Sequence, residues 1–259
     1  MDMKKPNYLV LILCLTYYVN CGDETIDNTP PTISIVSHIS GQSVDDTTII
    51  VASTKDKSGI GSVEFFINDS LYFNDSKKPF EYQWNTAPYE NGSEHYIHAI
   101  SYDKQDNSNS SEKIWLVIDK KELLWGKEYS INTTYLTLPD SGVSGQIPAE
   151  IGKFINLIYL DLKNNEIAGR IPSEIGSLTS LEYLDLSNNQ LSGEVPLSIR
   201  NLVNLRIVKL SNNLLVGVLP DSICNLEEGS VFQINNNNLC PPYPFCVSLI
   251  GSQDTTDCN

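Results

Sequence analysis

The sequence predicts two folded domains in series: an antiparallel all-β sandwich over 32–119 and a short solenoid of 24-residue coils over 133–246. Three observations carry this reading. From Thr32 to Ile118, short β-branched and aromatic runs alternate with turn residues at spacings near ten, and no helical period competes. From Thr133 onward one phrase recurs at a step of 24, as in Leu157, Leu160, Leu162, Asn165, Ile167, Gly169, Ile171 and Pro172. Finally, Cys224, Cys240, Cys246 and Cys258 crowd the end of that array. Short solenoids need closing there.

Composition bounds the function. The chain has 259 residues, 41% of them hydrophobic, and a formal charge of −15. Nucleic acids and anionic lipid surfaces require Lys/Arg clusters, so neither is an expected partner. No apolar stretch after the first 20 or so residues is long enough to span a bilayer.

Residues 1–20 read as a secretory signal, with Lys4 and Lys5 ahead of the apolar run Leu9–Leu15. The ending, Tyr18-Val19-Asn20-Cys21, resembles a bacterial lipoprotein signal, although Asn20 stands where that family carries a small residue. The resemblance implies lipidation of Cys21, and a membrane bond made only through that anchor. Plain cleavage near Cys21 is the alternative. Residues 21–31 are polar and end in Pro30-Pro31, as a tether would.

In the β domain the expected strands are 32–36, 48–53, 62–68, 70–73, 80–84, 96–102 and 113–118, with a turn at Asn68-Asp69. Several phrases, Pro30-Pro31-Thr-Ile33, Asp56-Lys-Ser-Gly-Ile60, Val63-Glu-Phe-Phe-Ile67, Tyr82-Gln-Trp-Asn-Thr86 and Ala99-Ile-Ser-Tyr-Asp103, resemble the immunoglobulin-like (Ig-like) domains of bacterial surface proteins. No Cys lies in this domain. Asp56, Asp103, Asp106 and Asn107 are oxygen donors of the kind calcium takes. Short acidic loops are more often solvated turns, and no metal site is expected. His95 and His98, three apart on a strand, point to opposite faces and cannot chelate together. Trp84 and Trp115 are expected in the sandwich core in preference to a sugar-stacking surface.

Residues 120–132 do not fit the repeat; Trp125, Tyr129 and Ile131 are apolar enough to cap its first coil. Four full coils (133–156, 157–180, 181–204, 205–228) and a partial fifth follow. Asn165, Asn189, Asn213 and Asn237 recur just after the L-x-x-L-x-L segment, where a buried amide can satisfy backbone groups of adjacent coils. Ile151, Ile175, Ile199 and Ile223, then Phe154, Leu178, Leu202 and Leu226, mark the inward side of the remaining arc. The pattern resembles leucine-rich repeats, and its L-x-G-x-I-P phrase the plant-specific subclass, which adds a second small sheet. The whole chain is therefore expected to be an all-β Ig-like sandwich followed by a short leucine-rich-repeat solenoid of the α/β type.

Four Cys in an exported chain imply two disulfides with three possible pairings. Residues 24 apart stack on neighbouring coils about 4.8 Å from each other. Cys246 follows Cys224 by 22, so that pair is favoured, leaving Cys240 for Cys258 in a pinned tail over 247–259. Zinc is disfavoured because C-x₂₋₄-C spacing is absent.

The outward strand residues form three columns on the concave sheet: Tyr159, Tyr183 and Ile207; Asp161, Asp185, Lys209 and Gln233; Lys163, Ser187, Ser211 and Asn235. Aromatics and mixed charge on a rigid sheet suit recognition of a protein or peptide at the cell surface. A solvated face without a ligand is the plainer alternative. Nucleophile-elbow, zinc-protease, P-loop and dinucleotide motifs are missing, and Asp161 and Asp185, about 5 Å apart, would lie on an open sheet. No catalytic residue, cofactor or enzymatic activity is expected. The expectation is an exported, lipid-anchored, monomeric binding or adhesion module of the cell envelope. A purely structural envelope protein and a carbohydrate-binding accessory protein are the alternatives.

Overall fold

The computed structural model describes residues 27–225, 230–247 and 250–258. The signal over 1–20, Cys21 and most of the tether lie outside the described residues, as does Leu226. No described helix is long and apolar enough to cross a membrane. The chain divides into two compact units. One holds the segment up to Gly41 with Ile49–Trp84 and His95–Leu116; the other holds Gln42–Thr48, Asn85–Glu94 and Val117–Asn259.

The Ig-like sandwich is built from β1 (Thr32–Ile35), β2 (Gln42–Val44), β3 (Thr47–Lys55), β4 (Ile60–Ile67), β5 (Ser70–Asp75), β6 (Phe80–Asn85), β7 (Glu94–Asp103), β8 (Ser108–Ser110) and β9 (Ile114–Ile118). All seven expected strands are present; the three-residue strands β2, with Val44 as its one apolar residue, and β8, wholly polar, are too short to show hydrophobic alternation and are additional. One sheet runs β1-β3-β6; in the other, β9-β7-β4-β5 are successive neighbours and β8 lies beside β7. The Asn68-Asp69 turn has both residues at positive φ, 49° and 62°, which matches the twist of the β4–β5 hairpin. Strand alternation sets the core: Val63, Phe65 and Ile67 of β4 and Ile97 and Ala99 of β7 are buried. Trp84 is fully buried, as expected. Trp115 is not: it is 48% exposed, because Leu116 and Ile118 hold the inward positions of β9 and parity puts its neighbour outside. The two histidines also separate by parity, His95 edge-on to Trp84 and His98 stacked on Phe66.

Residues 120–132 fold as a hairpin, β10 (Lys121–Leu124) and β11 (Lys127–Ser130). Leu124 is fully buried, and Trp125, Tyr129 and Ile131 pack on the repeat core. The Trp125 indole N–H donates to the Gln146 carbonyl at 2.9 Å.

Each coil then contributes one strand to each of two parallel sheets. The first-sheet strands are β12 (Tyr135–Thr137), β14 (Tyr159–Asp161), β16 (Tyr183–Asp185), β18 (Ile207–Lys209) and β20 (Val231–Gln233). The second-sheet strands are β13 (Ser144–Gly145), β15 (Glu166–Gly169), β17 (Gln190–Gly193), β19 (Leu214–Val218) and β21 (Asn238–Cys240). The arcs between are five-residue 3₁₀ turns such as Ser173–Ser177, and no α-helix occurs among the described residues. A 24-residue circuit that already holds two strands leaves room for little more. Coils approach closely at these arcs: a Cβ at Gly176 would lie 2.5 Å from the Ser198 carbonyl oxygen, so only glycine fits. The interior is a continuous stack of leucines and isoleucines, most of them fully buried.

Two asparagine ladders stitch the coils. In the buried one, Asn213 Nδ2 donates to the carbonyls of Leu186 (2.9 Å) and Leu210 (3.0 Å) while its Oδ1 accepts from Leu191 N–H (3.0 Å). Asn165, Asn189 and Asn237 bond in the same way. The exposed ladder was not anticipated. Asn164, Asn188, Asn212 and Asn236 all stand at φ between 55° and 59°, a left-handed conformation asparagine tolerates. Their side chains link amide to carbonyl at 2.5–2.7 Å.

Cys224 is bonded to Cys246 and Cys240 to Cys258, with Cα separations of 5.4 and 5.6 Å. Between them Gln253 acts as a fifth rung of the buried ladder. Its amide donates to the Ile234 and Ile250 carbonyls and its oxygen accepts from Leu239 N–H. That is the bonding Asn237 gives to the coil before.

Candidate functional site

The concave sheet positions the three columns. Strand pairing is parallel and in register, so Tyr135, Tyr159, Tyr183, Ile207 and Val231 lie directly side by side. Column one is thus longer than the sequence suggested, extended by Tyr135 (64% exposed) and Val231 (38% exposed). Both stand on the 24-residue step, a signal that was available. Tyr159 and Tyr183 stack with centroids 4.1 Å apart and planes 5° from parallel; Tyr135 continues the row at 6.0 Å and 29°. The result is a stripe that is aromatic over three coils and aliphatic over two.

Column two is largely withdrawn. Asp161 and Asp185 are only 4% and 1% exposed. Their carboxylates cap the turn that follows each strand: Asp161 Oδ1 accepts from Lys163 N–H and Asp185 Oδ1 from Ser187 N–H. The other oxygen of Asp185 accepts from Tyr183 Oη at 3.0 Å and lies 3.4 Å from Lys209 Nζ. Lys209 also donates to Tyr183 Oη at 3.0 Å, closing a three-membered network. The Tyr183 phenol is consequently held far above its ordinary value, by burial first and then by the neighbouring Tyr159 and Asp185. The face therefore presents phenol rings and lysine ammonium groups, with the two aspartates beneath them as positioning groups. Gln233 is half-buried at the far end of the column.

In column three, Lys163 keeps its side chain 40% exposed, with Nζ 4.0 Å from Asp161. Ser187 donates to Asp185 through its hydroxyl. Ser211 is buried and donates to Asn235 Oδ1 at 2.7 Å. Stacking surface, two cations and short polar side chains are what this face offers chemically.

In the sandwich, Asp56 and Asp103 come together with Asp27, their oxygens within 4.8 Å of one another. Burial raises the Asp103 carboxyl, but hydrogen bonds from Asn107, Gln105 and Ser58 outweigh it and hold the group below its ordinary value. Asn107 turns its amide nitrogen toward Asp103, and Asp106 is exposed outside the cluster. The loop is thus cross-linked by its own donors.

Comparison with known proteins agrees with this architecture. Residues 31–99 match the family described as bacterial Ig domain. Residues 155–197 match two copies of leucine rich repeats, and residues 204–226 a further leucine rich repeat. The chain carries a bacterial Ig domain followed by leucine-rich repeats that resemble the ectodomains of plant receptors. No curated protein matches it. Among solved structures it is similar to PEPR1–AtPEP1, with 39% identity over 43% of this chain and 16% of that one (TM-score 0.42). It is similar to the plant peptide hormone receptor RGFR1 in complex with RGF2, with 29% identity over 48% of this chain and 20% of that one (TM-score 0.43). It is similar also to the ectodomain of the receptor kinase SOBIR1 from Arabidopsis thaliana, with 29% identity over 50% of this chain and 74% of that one (TM-score 0.43). The chain spans a fifth or less of the length of the first two. Disulfides together with a bacterial Ig domain are features of an extracytoplasmic protein.

Proposed function

We propose that this is an exported recognition protein of the cell envelope, tethered through Cys21, in which the concave repeat face binds an extended peptide segment of a surface protein. The Ig-like domain serves as a spacer and the molecule works as a monomer without cofactor or catalysis. The observation that carries this reading is the continuous apolar column Tyr135–Tyr159–Tyr183–Ile207–Val231. Rigid aromatic rings, already stacked, lose little entropy on binding and make strong anchors. Lys163 and Lys209 beside the column favour a ligand that carries a carboxylate.

The test is selection of displayed random peptides on the immobilised chain lacking residues 1–21. Enrichment of apolar, acidic sequences that is lost in the triple variant Tyr159→Ser, Tyr183→Ser, Lys209→Ser is the expected result. Equal enrichment on wild type and variant would overturn the proposal.

A further inference from the structure

We propose that the outward face of β9, β7 and β4 in the sandwich is a second binding site, for a neutral polysaccharide, centred on Trp115. The Trp115 ring is half exposed on a strand whose neighbouring Leu116 is fully buried. Beside it lies Tyr96, with ring centroids 4.9 Å apart and planes at 57°. Lys113 Nζ stands 4.0 Å over the Tyr96 ring and donates to Asp69 Oδ1 at 3.0 Å. Tyr96 Oη donates to the other Asp69 oxygen, and His98 Nε2 lies 3.3 Å from Asp69 Oδ1. The platform is thus an aromatic pair whose border is a fixed cation and a fixed carboxylate, 48% and 61% exposed at their side chains.

This combination distinguishes between occupants. A pyranose has an apolar C–H face that can lie on an indole and a rim of hydroxyls that need donors and acceptors held in place. Lys113 and Asp69 supply one of each, and sugar hydroxyls can replace the water around the pair without stripping it. A protein partner centred on Trp115 would cover the same ion pair with less polar surface, at a desolvation cost that interface cores avoid by excluding charge. A net charge of −15 opposes polyanionic glycans, which leaves neutral ones. Lys113 covers the Tyr96 ring, so Trp115 is the stacking face; the Lys113–Asp69 pair beside it can take hydroxyls of a neighbouring sugar unit, which favours a polymer over a monosaccharide.

The experiment titrates the chain lacking residues 1–21 with neutral hexasaccharides (β-1,4-glucan, β-1,3-glucan, chitin and α-mannan) and with a polyuronate of equal length, following tryptophan fluorescence and calorimetry. Binding of at least one neutral oligomer is expected, weakened about ten-fold or more by Trp115→Ala. It should be partly restored by Trp115→Phe and untouched by the Tyr159/Tyr183/Lys209 variant. Unchanged circular dichroism of both Trp115 variants separates loss of binding from loss of fold; should Trp115→Ala unfold, Lys113→Ala and Asp69→Asn carry the test. Failure of every neutral oligomer to bind, binding of the polyuronate alone, or binding indifferent to these substitutions would each overturn the proposal. Because the repeat-face variant is scored separately, either site can fail while the other stands.

Discussion

Gln253 makes on Ile234 the hydrogen bond that Asn237 makes on Leu210: in each case a side-chain amide donates to the carbonyl of the coil before, at 2.8 and 3.0 Å. The two residues are 16 positions apart, not 24. The tail arrives by a shorter path and uses the longer amide to reach the same carbonyl row. A parallel bridge between Asn237 and Gln253, with Asp254 N–H donating to the Asn237 carbonyl, completes the imitation.

Gln253→Ala should therefore leave Leu239 N–H without its acceptor and the Ile250 carbonyl without its donor, the Ile234 carbonyl keeping Asn237, and destabilise the closing end by about 1–3 kcal/mol. Hydrogen exchange at Leu239 checks this. Unchanged protection would mean the rung is ornamental. Asn213→Ala, which strips four side-chain bonds in mid-array, should cost at least as much in a denaturant titration.

Gly176→Ala puts a methyl group where the Ser198 carbonyl oxygen lies 2.5 Å away. Overpacking of this kind costs about 1–3 kcal/mol. The same substitution at Gly142, where nothing lies within 4 Å of the added carbon, should cost less through contacts and act only through its φ of 66°. Paired thermal melts give the comparison.

The Tyr183 phenol has a folded pKa above its unfolded value of about 10. Such a group contributes stability that is fully present below the unfolded value and is lost as pH rises through the folded one. Alkaline titration followed in the near ultraviolet should show a late phenol phase, smaller in Tyr183→Phe. A full-sized late phase in that variant would assign the effect to another tyrosine.

Removing the Cys240–Cys258 bond by a double Ser substitution should cost about 3 kcal/mol and expose Leu239 N–H to exchange, because Cys258 pins the tail that carries Gln253. Removing Cys224–Cys246 should lower stability by a similar amount and leave the Leu239 amide comparatively protected. Equal exchange in both variants would uncouple the tail from its disulfide.

Most of the repeat architecture was legible because a strict period turns one residue into a coordinate: Tyr159 fixes Tyr183, and Leu160 fixes Leu184 and Val208. Periodicity also announced the buried ladder of Asn165, Asn189 and Asn213. It did not reveal that Asp161 and Asp185 turn beneath the sheet, since an outward register position does not say whether a short side chain folds back onto its own turn. Trp115 was misjudged because composition favours burial of tryptophan, and only the parity of β9 decides otherwise. Gln253 was invisible for a different reason: it is off period, and hydrogen bonds of a terminal tail are long-range facts.

The exposed ladder of Asn164, Asn188, Asn212 and Asn236 joins each coil only to those beside it, through bonds that span 24 residues. In this ladder the coils carrying Asn164, Asn188 and Asn212 each make the same bond to the coil that follows. A tandem duplication or deletion of one such segment would leave both ends meeting the partners they meet now. The length of this array is thus open to change by unequal crossover in a single step, and each added coil would lengthen the tyrosine-bearing face by one strand.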